Sequence, residues 1–167
     1  MGAGKTTVGR ALASLLRWSF FDLDCEVELR HKLLVREIFQ LRGESGFREI
    51  ETDTLRSVLQ QASGPTVIAL GGGTFVQSVN ADLLRSRAAR VVFLETEIEE
   101  LYQRCRAADQ HLPQSSRPLA ATPDAFRALY AQRLPFYRSA DLTVNATGKT
   151  VEELAQEIVL SLRLPHR

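Results

Sequence analysis

The chain opens with Met1-Gly2-Ala3-Gly4-Lys5-Thr6-Thr7, and this string limits the possible folds more than any other feature of the sequence. A Gly-Lys-Thr triplet that leads straight into an amphipathic helix is typical of a phosphate-binding loop. Such a loop joins a strand to the N-terminus of a helix, at one edge of a parallel sheet. The full pattern, G-x-x-x-x-G-K-[ST], has an earlier glycine and a preceding strand, which would both lie upstream of Met1. The string therefore predicts a nucleotide-binding α/β fold that lacks its first strand.

Length and composition indicate a single globular domain that covers residues 1–167. The chain has 44% hydrophobic and 25% charged residues, which is ordinary for a soluble protein with a substantial core. A net charge of +1 without a long basic run argues against a nucleic-acid partner. We find no membrane span and no signal peptide, and we expect Cys25 and Cys105 to be buried free thiols. We therefore expect a monomeric cytoplasmic protein that acts on a small molecule.

Short apolar runs alternate with amphipathic segments along the chain. The runs predict strands at 19–22, 66–70, 90–94 and 142–144; the segments predict helices after Lys5, at 26–32, 35–41, 47–59, 98–105 and 123–134, and at the C-terminal end. Thr96 with Glu99, and Thr150 with Glu153, have the spacing of capping boxes. The polar stretch 106–122 predicts a lid loop. Together these features predict a parallel sheet with helices on both faces and ligands at the carboxyl ends of its strands.

The opening loop carries groups that suit a nucleoside triphosphate. Gly2 and Gly4 let the backbone wrap closely around a phosphate, and the helix that starts near Lys5 adds the positive end of its dipole. We expect Lys5 to bridge the β- and γ-phosphates and the Thr6 hydroxyl to bind Mg²⁺.

Two further groups are expected at the same edge of the sheet. Asp22 and Asp24 follow the strand at 19–22, where one carboxylate can hold Mg²⁺ or its waters and the other can accept a proton from an attacking hydroxyl. The next predicted strand ends in Gly71-Gly72-Gly73, which would free backbone N–H groups for an anionic or polyol ligand.

Three arginines could complete such a site. Arg48, Arg117 and Arg133 could clamp a carboxylate and place a cation on a transferring phosphoryl group. The chain holds 21 Lys and Arg residues, so chemistry alone does not select these three.

The whole arrangement resembles the shikimate kinase family over nearly the full chain. The matching strings are Gly2 to Arg10, Asp22-Leu23-Asp24, Glu37-Ile38-Phe39, Gly43-Glu44 with Phe47-Arg48, Gly71-Gly72-Gly73, Arg117-Pro118-Leu119, and Arg133 with Pro135 and Tyr137. Their order and most of their spacings fit the family, which is far more specific than a phosphate loop alone. The resemblance implies a P-loop kinase fold, like that of nucleoside monophosphate kinases, with a mobile lid.

The resemblance also implies an activity and a role for each matching residue. The activity is transfer of the γ-phosphoryl group of ATP, with Mg²⁺, to the 3-hydroxyl of shikimate in aromatic amino-acid biosynthesis. The nucleotide would be held by Gly2, Ala3, Gly4, Lys5, Thr6 and Thr7, with Arg104 near the adenine and Arg117 reaching the phosphates from the lid. The metal would be held by Thr6 and Asp22, and shikimate by Asp24, Arg48, Gly71, Gly72, Gly73 and Arg133. Lys5, Asp24 and Arg117 would be catalytic, with Asp24 as the base.

Three departures from the family pattern carry structural expectations. The absent first strand belongs in the middle of the sheet, so its loss is expected to leave a gap between two neighbouring strands. Lys32 occupies a position where the family commonly has glycine, which is expected to alter a turn. The stretch between Arg104 and Arg117 is longer than usual, which affects the lid and the adenine contact.

Two other functions remain open on the sequence. One is a non-catalytic ligand-binding module, of the kind appended to transcription regulators. The other is a related small-molecule kinase, such as one for gluconate, because clamp arginines would serve any polyol acid. The triple glycine and the placement of Phe47-Arg48 favour shikimate.

Overall fold

A computed structural model describes residues 2–111 and 122–165, with the side chains of 108–111 excepted. Within these ranges the helices are α1 (Lys5–Leu16), α2 (Leu23–His31), α3 (Val35–Gln61), α4 (Ser78–Ser86), α5 (Ile98–His111), α6 (Pro123–Tyr137) and α7 (Val151–Ser161). The strands are β1 (Ser19–Asp22), β2 (Thr66–Ala69), β3 (Val92–Glu95) and β4 (Leu142–Asn145). The alternation of strands and helices confirms the predicted α/β class. No helix within the described ranges is long and apolar enough to cross a membrane.

The strands form two separate parallel pairs instead of one sheet. β1 pairs with β2, with Ser19 opposite Thr66, and β3 pairs with β4, with Val92 opposite Leu142. Each of the four described strands has one partner only. A cavity of about 80 Å³, called here the inter-sheet cavity, is lined by Leu70 and Gly71, which follow β2, and by residues of β3, so the expected gap lies between these two strands.

Helix α1 links the two pairs through the largest apolar core. Val8, Leu12 and Leu16 of α1 are buried in one cluster with Leu94 of β3 and Val144 of β4. Val67 of β2 packs against the same cluster, as do side chains from α5, α6 and α7. Side-chain packing therefore holds the two pairs together, whereas backbone hydrogen bonds hold the two strands within each pair.

Helix α3 contains the break that its sequence predicted. Gly43 has φ 66° and ψ −176° inside it, so two helical segments meet there at a kink. Phe39 and Phe47 stack across the kink with their ring centroids 4.4 Å apart. A β-carbon at Gly43 would meet no neighbour, so the glycine serves the backbone angle and not the space around it.

Four expectations about local structure were wrong, each for a local reason. The capping box at Thr96 does not form, because α5 begins at Ile98 and the Thr96 hydroxyl is buried without a hydrogen bond. The lid loop does not begin at Arg106, because α5 continues to His111; residues 112–121, with Arg117, lie outside the described ranges. Cys25 is exposed and Cys105 is half-buried, although both thiols are free as expected.

The fourth concerns the strand expected at 90–94, which starts only at Val92. The Asp141 carboxylate accepts the backbone N–H of Val91 at 2.7 Å and lies 3.5 Å from the Arg90 guanidinium. The Asp141 side chain thus takes the place of a strand partner for the Val91 N–H, while the Val91 carbonyl still accepts from the N–H of Leu142. The box at Thr150 and Glu153 does form, with both of its hydrogen bonds, and begins α7.

Lys32 generates a prediction about stability. It ends α2 with φ 54° and ψ 31°, a left-handed conformation in which the β-carbon of a non-glycine residue is strained. We expect Lys32→Gly to raise the free energy of unfolding by about 1 kcal/mol, measured as a higher urea midpoint at an unchanged denaturant slope. Lys32→Ala keeps the β-carbon and should give no such gain. An equal gain in both variants would show that the lost charge, and not the backbone, is responsible.

Candidate active site

The opening string forms a tight loop that leads into α1. Gly2 and Gly4 have φ of 69° and 74°, which glycine adopts without strain. A β-carbon at Gly2 would lie 2.9 Å from the Leu101 carbonyl oxygen and 3.0 Å from the Cys105 Sγ, so the loop is packed against α5. No side chain in the described part of the chain caps α1, so its first N–H groups remain available at the positive end of the helix dipole. The loop therefore has the features of an anion-binding site.

Asp22 ties this loop to the carboxyl end of β1. Its Oδ1 accepts hydrogen bonds from the backbone N–H groups of Asp24 (3.1 Å) and Cys25 (3.3 Å), and its Oδ2 accepts one from the Thr6 hydroxyl at 2.5 Å. Asp22 is thus the N-cap of α2, and Asp24 lies in the first turn of that helix. The strand ends at Asp22 and the helix begins at Leu23, so the backbone changes direction between the two aspartates. Both carboxylates can therefore lie at the carboxyl edge of the strands.

Negative charge is concentrated at this point of the structure. Partial burial, followed by the carboxylates of Asp22, Glu28 and Asp24, raises the pKa of the Cys25 thiol above its usual value. A further anionic group is disfavoured beside these three carboxylates, whereas a bound cation would be stabilised.

A cavity of about 320 Å³, called here the rim cavity, opens beside the loop. Its lining comes from the loop, the ends of β1 and β2, and α5: Gly2, Gly4, Lys5, Thr6, Thr7, Asp22, Asp24, Ala69, Leu70 and Arg104. The predicted convergence is therefore present, since Lys5 lines the same cavity as both aspartates. Ala3 is buried and lines the inter-sheet cavity instead.

Arg48 lies over the triple-glycine turn and is held by two glutamates. Its Nη1 donates to Glu51 Oε2 at 2.8 Å, and its Nη2 donates to Glu44 Oε1 at 3.1 Å. Burial alone would lower the pKa of Arg48, but the adjacent carboxylates of Glu51 and Glu44 raise it above its usual value, so the guanidinium stays protonated. A β-carbon at Gly73 would overlap the Arg48 guanidinium, so this glycine is required for space.

The rest of the turn is packed against buried polar groups. A β-carbon at Gly71 would lie 2.7 Å from Glu51 Oε1, 2.9 Å from Thr74 Oγ1 and 3.2 Å from Asp24 Oδ1. The Tyr137 hydroxyl, from the end of α6, donates to the carbonyl oxygen of Gly72. The sequence predicted that these glycines free backbone N–H groups for a ligand. In the structure none of the three has positive φ, and the absent β-carbons of Gly71 and Gly73 leave room for neighbouring side chains.

Arg133 occupies a different environment from Arg48. It is only 7% exposed and lines the inter-sheet cavity together with Gly71, Gly72 and Tyr137. Within residues 2–111 and 122–165 its guanidinium forms no ion pair or hydrogen bond. The guanidinium therefore lies at the cavity without a counter-charge from the described residues, and an anionic ligand there could pair with it.

Sequence reasoning missed three polar residues that shape this site. Glu51 and Thr74 are fully buried beside the turn, and Tyr137 was noted as a matching residue without a role. A signal for Glu51 was available, because it lies one helical turn after Arg48 on an amphipathic helix.

Two predicted arginines have different outcomes. Arg104 lines the rim cavity and forms an ion pair with Glu100 at 2.5 Å. Arg117 stays a prediction from the resemblance.

Comparisons with known proteins identify the family of the chain. The sequence model of the family described as "Shikimate kinase" matches residues 1–163. A shikimate kinase of Moorella thermoacetica is 41% identical over 98% of this chain and 90% of its own length, and one of Ruegeria pomeroyi is 37% identical over 97% and 80%. Among solved structures, the shikimate kinase of Acinetobacter baumannii in complex with shikimate has a TM-score of 0.85 at 37% identity, covering 99% of this chain and 91% of that one. The resemblance predicted from the motifs is therefore confirmed, and the chain belongs to the shikimate kinase family.

Proposed function

We propose that the chain transfers the γ-phosphoryl group of ATP to the 3-hydroxyl of shikimate, giving ADP and shikimate 3-phosphate. The observation that carries this proposal is the rim cavity, which is lined by Lys5 and Asp24 and adjoins the glycine turn under Arg48. A phosphate-binding lysine, a carboxylate base and a carboxylate-binding arginine suit a substrate that carries both a hydroxyl and a carboxylate. Family membership supports the same reaction.

The opening loop is the nucleotide end of the proposed site. Backbone N–H groups of the loop and of the first turn of α1 would bind phosphate oxygens, and the Lys5 ammonium would bridge the β- and γ-phosphates. Arg104 lies across the loop, with its Cβ 3.5 Å from the β-carbon position of Gly2, and is proposed to flank the adenine.

The Thr6 hydroxyl and the Asp22 carboxylate fit a magnesium ion. They are two hard oxygen donors in contact with each other at the mouth of the loop, and Mg²⁺ commonly takes one or two protein oxygens together with waters and phosphate oxygens. Burial first, and then the carboxylates of Asp22, Glu28 and Asp24, raise the pKa of Cys25; a cation would offset the charge of these carboxylates. When bound, Mg²⁺ would neutralise charge on the phosphates during transfer.

The acceptor end would be formed by the two arginines and the glycine turn. Arg48 and Arg133 are proposed to bind the carboxylate of shikimate, because both are cationic and lie beside the same glycine turn. The missing β-carbons of Gly71 and Gly73 allow the ring of the substrate to approach the backbone.

The transfer step follows from this placement. The Asp24 carboxylate accepts the proton of the 3-hydroxyl as the hydroxyl oxygen bonds to the γ-phosphorus. The bond from that phosphorus to the β–γ bridging oxygen breaks, and the electron pair leaves with ADP. Lys5 stabilises charge on the transferring group, and Arg117 is proposed as a second cation there.

The reaction itself is the first test. The chain is expected to release ADP from ATP only when shikimate is present, in a coupled ADP assay, and mass spectrometry should show a singly phosphorylated product. EDTA should stop turnover and excess Mg²⁺ should restore it. Turnover of gluconate but not shikimate would favour the related kinase, and shikimate binding without ADP release would favour a ligand-binding module.

The proposed base generates a second prediction. We expect Asp24→Asn to lower kcat by about 100- to 10,000-fold, because the amide cannot accept the hydroxyl proton, with little change in the KM for ATP. The matched control is Glu26→Gln, which removes a carboxylate from the same turn of α2 outside the rim cavity and should keep kcat. Equal losses in both variants would contradict the role of Asp24.

The two clamp arginines should respond differently to the same substitution. Arg133→Met should raise the KM for shikimate about 10- to 100-fold without lowering stability, because it removes a charge that has no partner in the described structure. Arg48→Met should also raise that KM but cost about 3–5 kcal/mol of stability, since Glu51 is left buried and unpaired. Steady-state kinetics and thermal unfolding measure both effects, and a destabilised Arg133→Met would contradict the assignment.

A further inference from the structure

The carboxylate of Glu51 is divided between two partners. It is 1% exposed, and its Oε2 accepts from Arg48 Nη1 at 2.8 Å while its Oε1 accepts from the Thr74 hydroxyl at 2.7 Å. Each oxygen therefore has its own donor. The direction of the carboxylate plane is set by both partners together.

Thr74 is the more firmly fixed of the two partners. It is completely buried, its N–H donates to the Gly71 carbonyl, and its own carbonyl accepts from the Asn80 side chain at 3.1 Å. Asn80 is itself fully buried at the start of α4. The Thr74 hydroxyl thus joins a rigid turn to a carboxylate on α3.

Arg48 depends on Glu51 for its orientation. Its other partner, Glu44, is half exposed, and an ion pair of that kind contributes little. Its Nε is buried and makes no hydrogen bond within the described residues, so this N–H would donate to any carboxylate oxygen brought within reach.

We infer that the Thr74 hydroxyl is a positioning group for Arg48, acting through Glu51, and thereby sets the affinity of the site for the substrate carboxylate. This inference rests on the proposed function. Without the hydroxyl, Glu51 Oε1 loses its donor and is drawn towards the unpartnered Arg48 Nε. The pair then becomes bidentate, and the guanidinium turns away from the face over Gly73 that the substrate uses.

Thr74→Val tests the inference, because valine keeps the shape and removes only the donor. We expect the KM for shikimate to rise about tenfold, with kcat and the KM for ATP changing less than about threefold. Thr74→Ser restores the hydroxyl and should return the KM for shikimate to near that of the unsubstituted chain. Thr54→Val removes the hydroxyl of a similarly buried threonine on α3 and should leave it unchanged.

A double-mutant cycle shows whether the effect passes through Arg48. Adding Thr74→Val to Arg48→Lys should raise the KM for shikimate less than about twofold further, because the lysine has no Nε–H for Glu51 to engage. Independent, multiplying effects would overturn the inference, as would an unchanged KM for shikimate or equal losses for both substrates in Thr74→Val. If the valine variant does not fold, Thr74→Ala removes the same donor with more room.

The two proposals fail in different ways. Absence of shikimate turnover by the unsubstituted chain contradicts the proposed function; calorimetric binding of shikimate to the same variants then tests the positioning role, which equal affinities would overturn. Normal turnover with an unaltered KM in Thr74→Val contradicts the positioning role alone.

Discussion

The buried carboxylate of Glu51 is the constraint from which the acceptor half of the site follows. A carboxylate that is 1% exposed is stable only when its charge and lone pairs are matched, and Arg48 and Thr74 supply the match. Leu55, one turn further along α3, is fully buried and keeps Glu51 at this depth. The glycine turn must then pass over a carboxylate and a guanidinium, which leaves no space for β-carbons at Gly71 and Gly73. One buried ion pair thus accounts for the position of an arginine and for two glycines.

Residues of the site come from both pairs of strands. Asp22 ends β1 and the glycine turn follows β2, whereas α5 and α6, which carry Arg104 and Arg133, pack in the core with β3 and β4. No backbone ladder joins these pairs in the described structure, and α1 packs on both. The helix that begins at the phosphate loop therefore also connects the two pairs, through the packing of Val8 and Leu12 in the α1 core.

The sequence could predict whatever depends on nearby residues. The phosphate loop, the presence and order of the four strands, the break at Gly43 and the cap at Thr150 are encoded within a few residues, and the structure has them. The pairing of Glu51 with Thr74 spans 23 positions, so no periodic pattern contains it. At Thr96 a local pattern was misleading: the spacing to Glu99 predicted a capping box, but the Thr96 hydroxyl is buried and caps no helix. The sequence analysis also missed that Asp22 is the N-cap of α2, because it considered Asp22 only as a metal ligand.

The two arginines of the proposed clamp differ in where their counter-charge comes from. Arg48 is neutralised within the protein by Glu51, so its charge is present and oriented before any substrate arrives. Arg133 has no carboxylate partner in the described part of the chain, so the carboxylate of the substrate would be its counter-ion. A ligand that binds only the folded state stabilises that state. Such a clamp would combine a rigid arginine that fixes the orientation of the substrate with a second arginine whose environment becomes favourable only when the substrate is bound.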